Sequence, residues 1–223
     1  MNKLNNLFLF GLTNLFIWFI SSSVFCQTNT SNNFYDKDER WAENLRRDTL
    51  DNLVHLKVMD LLGVTPEMKI GEAGAGDGYF TFHLSKRIGK GGIIYANDIH
   101  ENSLKALKYY AKEFNVLNNI TTIIGKVDDP CFPQKNLDLI VIYGSFHDFE
   151  KRYEWLINAR KYLKPGGKLA IFDGYYPDHG GLTKKIVNNL GKKAGFRLLL
   201  YKNCSVTVKN RYRSNHLHIF IKD

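Results

Sequence analysis

From Arg40 to Leu62 the apolar residues Trp41, Leu45, Leu50, Val54, Val58, Leu61 and Leu62 recur at intervals of three to five, the spacing of an amphipathic helix or a pair of them across 40–64. Gly63 and Pro66, in "GVTPEM", break that run. Strand-like and helix-like segments then alternate. Strands are predicted at Lys69–Ala73, Gly92–Asn97, Ile120–Gly125, Leu137–Tyr143 and Lys168–Asp173, and helices at about Tyr79–Ile88, Asn102–Phe114 and Tyr153–Tyr162. Pro165, in the turn "KPGG", is expected to end the last of these helices. Strands separated by single helices imply right-handed crossovers and a parallel sheet. "LTKKIVNNLGKKAGF" supplies one more helix. "RLLLYKN" and "HLHIFIKD", separated by a turn-rich gap, read as a terminal pair of strands with an antiparallel edge. The expected architecture is a doubly wound α/β domain with a mostly parallel sheet and a helical N-terminal cap.

Residues 1–26 break the pattern. Lys3 precedes an apolar run, "LFLFGLTNLFIWFI" from Leu7 to Ile20, and then "SSSVFCQ". A short charged region, an apolar core and small residues describe an export leader. Cleavage after Cys26 would leave Gln27 as the first residue and the domain periplasmic or secreted. The alternative is an uncleaved membrane anchor. Residues 27–39 are polar and read as a flexible linker, leaving 40–223 as the domain.

At 223 residues, 44% of them hydrophobic, the chain can bury one substantial core but hardly two. The formal charge is +9, with lysines and arginines spread along the chain rather than gathered in a tract. A solvated basic surface is the plain reading; attraction to an acidic substrate, a membrane surface or nucleic acid is the sharper one. No nucleic-acid partner is expected, and a membrane only through an uncleaved N-terminal segment. After cleavage Cys131 and Cys204 remain. They form no CxxC pair; a disulfide between them is conceivable in an oxidising compartment, and two buried free thiols are the simpler reading.

"IGEAGAGDGYF", Ile70 to Phe80, places Gly74, Gly76 and Gly78 at alternate positions directly after Glu72. Glycine costs more entropy to fix than any other residue, so such a cluster marks a left-handed turn or a place where backbone lies close to a ligand. In a doubly wound sheet the ligand crevice lies beyond the carboxyl ends of the strands, where this loop falls, and a helix starting near Tyr79 turns N–H groups toward it. Two phosphate-binding patterns fail. GxGxxG would need glycine at Tyr79, and the P-loop pattern fails because Gly166–Gly167–Lys168 is followed by Leu169.

The pattern ExGxGxG resembles the first motif of the class I S-adenosylmethionine-dependent methyltransferases. "IIYANDIHENSLKAL", "NNITTIIGKVDDP" and "LDLIVIYGSFHDFEKRYEWLINARKYLKPGGKLAIFD" follow in the order of that family's second to fifth strands. The match is closest to its small generic members. The resemblance implies a seven-stranded sheet and S-adenosyl-L-methionine as cofactor. By the same resemblance Glu72 would orient the glycine loop or meet the methionine amino group, and Gly74, Gly76 and Gly78 would allow close approach. Asp98, with Ile99 beside it, would hold the ribose hydroxyls. The Val127 backbone and the Asp128 side chain would meet the adenine, and Tyr143 would wall the pocket. Lys126 departs from the family, which often has an acid there.

A sulfonium already activates the methyl group, so transfer depends on positioning the acceptor. No metal is expected. An oxygen or nitrogen acceptor must also lose a proton, and His147, in the loop after the fourth strand, is the candidate base, with Asp148 as partner or alternative. His216 and His218 share one face of a strand but lack a third metal ligand. Tyr175, Tyr176 and His179 suggest an aromatic, partly polar pocket for a small-molecule acceptor, whose identity and methylated atom the sequence leaves open. The competing class is a non-catalytic adenosylmethionine- or nucleoside-binding module on the same fold. Export would separate the domain from the cytosol, where the cofactor is made; the anchor alternative would not.

Overall fold

The computed structural model describes residues 50–113, 115, 117–174, 182–204, 206–208 and 211–223. The predicted leader, the linker, the 40–49 part of the N-terminal helices, and Tyr175, Tyr176 and His179 lie outside the described residues.

Strand β4 (Leu137–Tyr143) reads LDLIVIY, and from Leu139 onward its side chains divide by parity. Leu139 and Val141 enter the core on one face of the sheet, Ile140 and Ile142 the core on the other. A strand covered on both faces needs apolar residues at nearly every position. β1 (Lys69–Ala73), β2 (Ile93–Asp98), β3 (Ile120–Ile124) and β5 (Leu163–Gly174) join β4 in parallel. β9 (Asn215–Ile221) pairs antiparallel with β5, and β6 (Arg197–Asn203) with β9. The seven strands run in the order β3-β2-β1-β4-β5-β9-β6. The order reverses between β1 and β4, which opens the crevice expected of such a sheet.

Helices α1 (Leu50–Leu62), α2 (Tyr79–Ile88) and α3 (Glu101–Glu113) cover one face, contributing Met59, Leu62, Leu84, Ile88 and Leu107 to its core. α4 (Arg152–Arg160) and α5 (Lys184–Lys193) cover the other with Trp155, Leu156 and Val187. α1 is therefore the helical N-terminal cap, built into the core rather than tethered to it. The Thr183 hydroxyl caps α5 by accepting from the Ile186 N–H at 3.3 Å.

Two details differ from the sequence reading, and the cysteines follow the simpler of its alternatives. α4 ends at Arg160, so Pro165 does not stop it; "KPGG" lies in an irregular start to β5, where the partner of Leu137 is Leu163 and that of Leu139 is already Lys168. Gly166, at φ +73°, and Gly167 exchange backbone hydrogen bonds with Lys222 across this bulge. The gap after β6 holds a short antiparallel pair, β7 (Val206–Val208) and β8 (Arg211–Arg213), each strand too brief for an alternation signal. Cys131 and Cys204 are both free thiols.

Candidate active site

The loop from β1 to α2 runs through three left-handed glycines, Gly74 at φ +68°, Gly76 at +57° and Gly78 at +98°. Their reasons differ. A Cβ on Gly74 would collide with Ser145, whose hydroxyl donates to the Ala73 carbonyl at 3.2 Å. A Cβ on Gly78 would lie 2.6 Å from Phe82 and 2.9 Å from Leu107, inside the core. A Cβ on Gly76 meets nothing within 4 Å. Gly76 alone faces open space.

That space is a cavity of about 310 Å³ at the carboxyl ends of β1 to β4, at the small end of the usual range for ligand sites. Gly74 and Gly76 form its floor, Asp98 and Ile99 one wall, Lys126 and Val127 another. Ser145, Asp148, Phe149 and Trp155 close the side toward β4. Ile99 is 49% exposed, an aliphatic surface suited to a flat ring.

Asp98 ties the loop to β2. One carboxylate oxygen accepts from the Gly76 N–H at 2.9 Å and the other from the His100 N–H at 2.8 Å. Each keeps a further lone pair for a hydroxyl. Replacing Asp98 with Ala should cost about 1.5–3 kcal/mol of S-adenosylhomocysteine affinity, the range for hydrogen bonds to a charged group. Titration calorimetry on a variant of unchanged melting temperature measures this. An unaltered affinity would assign the ribose to another residue.

Glu72 lies beneath the first turns of α2, 2% exposed, and its Oε2 has no hydrogen-bond partner among the described residues. Burial pushes its carboxyl up to about 8, with Asp98 adding to the rise and the nearby Thr81 hydroxyl opposing it. Thr81 Oγ1 is itself without a geometrically complete hydrogen bond. A neutral acid at this depth becomes an anion when a cation arrives beside it. A ligand with adjacent hydroxyls and a flat ring thus finds Asp98 and Ile99 with Val127 in the wall, and behind the wall stands the buried acid Glu72, close enough to feel the charge of Asp98. These residues fit S-adenosylmethionine.

The same burial predicts the pH dependence of folding. Glu72 holds its proton in the folded state well above its ordinary range, so its contribution is complete below about pH 4.5 and is lost as pH rises toward 8. His55, lowered by burial and by His83 to about 3, and His218, lowered by burial to about 4, act oppositely; the stability they contribute is lost on acidification below 6.5. Stability should peak near pH 6.5 and fall by about 2 kcal/mol by pH 8, at about 1.4 kcal/mol per unit. Denaturant melts across this range should show the fall, and Glu72→Gln should flatten it. A decline that persists in the variant would locate it elsewhere.

His147 follows β4 in the 3-10 turn Phe146–Asp148. Its backbone N–H donates to Asp173 at 2.8 Å, and its Nδ1 lies 2.9 Å from the same carboxylate. Asp173 is buried at the end of β5, where it also accepts the Gly174 N–H at 2.7 Å. A carboxylate only accepts, so Nδ1 carries the proton and Nε2 is the basic nitrogen. Nε2 is 3.3 Å from Asp148, which lines the cavity. Arg152 donates to the Phe146 and His147 carbonyls, fixing the turn. Asp173 had no role in the sequence reading; an acid ending the strand beside that of His147 was the available signal.

Other predicted site residues fall outside the cavity wall. Asp128 is 3.7 Å from Lys151, and its carbonyl accepts from Asn158 at 2.8 Å. Tyr143 is stacked between Phe80 and Phe172, at ring centroid distances of 4.2 and 4.6 Å. Near it, His55 Nε2 pairs with the Tyr79 hydroxyl at 2.6 Å while its ring stacks on His83 at 5.0 Å. His216 pairs with Tyr201 and His218 with Asn188. Among the described residues no group of three His, Cys, Asp or Glu could hold a metal ion.

Residues 71–171 match the family described as methyltransferase domain. These residues form a methyltransferase domain on the fold of the S-adenosylmethionine-dependent methyltransferases, and S-adenosylmethionine is its cofactor. Its relatives include the ubiquinone/menaquinone biosynthesis C-methyltransferase UbiE of Shewanella sp. (strain W3-18-1), 26% identical over 126 residues, 56% of this chain and 50% of that protein. The chain thus spans about half the length of the curated relatives it matches. Among solved structures, an S-adenosylmethionine-dependent methyltransferase from Aquifex aeolicus superposes with a TM-score of 0.67 at 20% identity, covering 82% of this chain and 98% of that one. A TehB-like methyltransferase from Corynebacterium glutamicum gives 0.64 at 19%, covering 85% and 96%.

Proposed function

We propose that the chain methylates a small-molecule acceptor whose attacking atom gives up a proton, and that His147, oriented by Asp173, takes that proton. The carrying observation is the His147–Asp173 pair, whose Nε2 lies 3.3 Å from Asp148, a residue of the cavity wall. S-adenosylmethionine supplies a sulfonium-activated methyl group when bound. Asp98 and the Gly76 backbone hold its position, and Glu72 accepts a positive charge at the buried end. Asp173 keeps the imidazole in one tautomer, so Nε2 meets the acceptor's proton. Asp148 then faces the imidazolium and offsets its charge.

A base of this kind serves oxygen, nitrogen and acidified carbon alike. The C-methylation carried in the name of the UbiE relatives supports including quinol-like and phenolic compounds in the screen. Incubating the protein with methyl-labelled cofactor and a panel of phenols, amines and quinol precursors tests the reading. Cofactor binding with no label transferred to any class would favour a non-catalytic binding module. For residues 1–26 we propose removal on export; N-terminal mass analysis should find Gln27 first, and an intact Met1 or Asn2 in membrane fractions would assign an anchor instead.

A further inference from the structure

The basic residues are spread along the chain, but the acidic ones are not. Between Asp178 and Asp223 the sequence holds ten of its 31 Lys and Arg and none of its 22 Asp and Glu. The remainder, with 21 basic and 22 acidic residues, is nearly neutral. The acid-free stretch forms α5, β6, the β7–β8 pair and β9. It therefore concentrates the net charge at one end of the sheet, beyond β5, with β6 as the outermost strand.

On α5, Val187 and Gly191 turn inward. At 100° per residue Lys185, Asn189, Lys192 and Lys193 share the opposite, exposed arc. Two cations nearby are committed: Lys184 sits 4.0 Å over the Tyr201 ring, and Arg197 pairs with Asp223 at 3.0 Å. No acidic partner is described for Lys185, Lys192 or Lys193. Aliphatic side chains stand among them, with Ile186 41%, Leu198 38% and Leu199 49% exposed. Between α5 and β6 a depression of about 390 Å³ is lined by Asn188, Asn189, Lys192, Arg197 and Leu198, with Phe196 and Phe220 beneath.

We infer that this α5–β6 face docks on an anionic lipid bilayer. Uncompensated lysines match the negative headgroups, exposed leucines suit the boundary between headgroup and acyl chain, and amide and ammonium donors around the depression suit a headgroup phosphate. Nucleic acid fits less well. Proteins that hold single strands stack bases on open aromatic rings, and Tyr201, the aromatic on this face, is enclosed by Lys184, His216 and His218. Once residues 1–26 are removed, the lysine surface is the domain's contact with the bilayer. This inference does not rest on the catalytic reading.

The mature chain, beginning at Gln27, is mixed with phosphatidylcholine vesicles, or with vesicles of equimolar phosphatidylcholine and phosphatidylglycerol, and sedimented. It should bind the anionic vesicles more tightly. The difference should vanish near 1 M salt, where screening acts within about 3 Å. Changing Lys185, Lys192 and Lys193 together to Gln should weaken that partitioning by about 100-fold, at about fivefold per basic residue near an anionic surface. Circular dichroism and the melting temperature should not change. Leu198→Asn with Leu199→Asn should weaken it further. Equal binding to both vesicle types, or a triple variant that binds like the parent, would overturn the inference. Tighter binding of an RNA or DNA oligonucleotide than of anionic vesicles, lost in the triple variant, would assign the face to nucleic acid instead.

Discussion

Once an acceptor is in hand, His147→Ala lowers the rate of methyl transfer by about 10²–10⁴, the usual contribution of a positioned acid or base, while S-adenosylhomocysteine affinity stays close to that of the parent. The separation follows from the geometry. The His147 ring is held by Asp173 from below and faces Asp148, and it is not part of the wall that Asp98, Ile99 and Val127 make. Asp173→Asn tests the orienting role. An amide presents either an oxygen or an N–H to Nδ1, so the imidazole loses its fixed tautomer, and kcat should fall with little change in KM. Added imidazole should restore part of the activity of His147→Ala and none of that of Asp173→Asn. Parental turnover in both variants would leave transfer to proximity alone or to Asp148.

The parts of this site that were legible in the sequence are those set by local pattern. The bounds of β1, α2, β4 and β6 are as read, because each is a short segment of one local pattern. The glycine loop, Asp98 and the loop bearing His147 follow from residues adjacent in sequence. What escaped depends on partners far apart in the chain. Asp173 reaches His147 across 26 residues, and His55 reaches Tyr79 across 24. Tyr143 has the position of a pocket wall but not the surroundings, since Phe80 and Phe172 enclose its ring from other elements. The polarised charge was missed for another reason. Scanning for clustered lysines overlooks a surface made basic by missing acids.

Gly76→Val and Gly78→Val should fail in different ways, although the two glycines look equivalent in "GAGDG". Both residues are left-handed, at φ +57° and +98°, and any L side chain there costs about 1–2 kcal/mol. At Gly76 little else is lost from the free protein, because the added Cβ points into open space. That space is the cavity, so the branched side chain occupies the place the cofactor needs. Gly76→Val should therefore fold, melt a few degrees lower, and give no heat on titration with S-adenosylhomocysteine. At Gly78 the new atoms press on Phe82 and Leu107 in a close-packed core. Overpacking of this kind adds about 1–3 kcal/mol to the backbone cost, so Gly78→Val should lose much of its stability and recover binding only as far as it remains folded. Calorimetry paired with thermal melts on the two variants distinguishes a glycine kept for the ligand from one kept for the core. If Gly76→Val binds S-adenosylhomocysteine with parental affinity, the cofactor does not lie over the loop, and the assignment of Asp98 to its ribose falls with it.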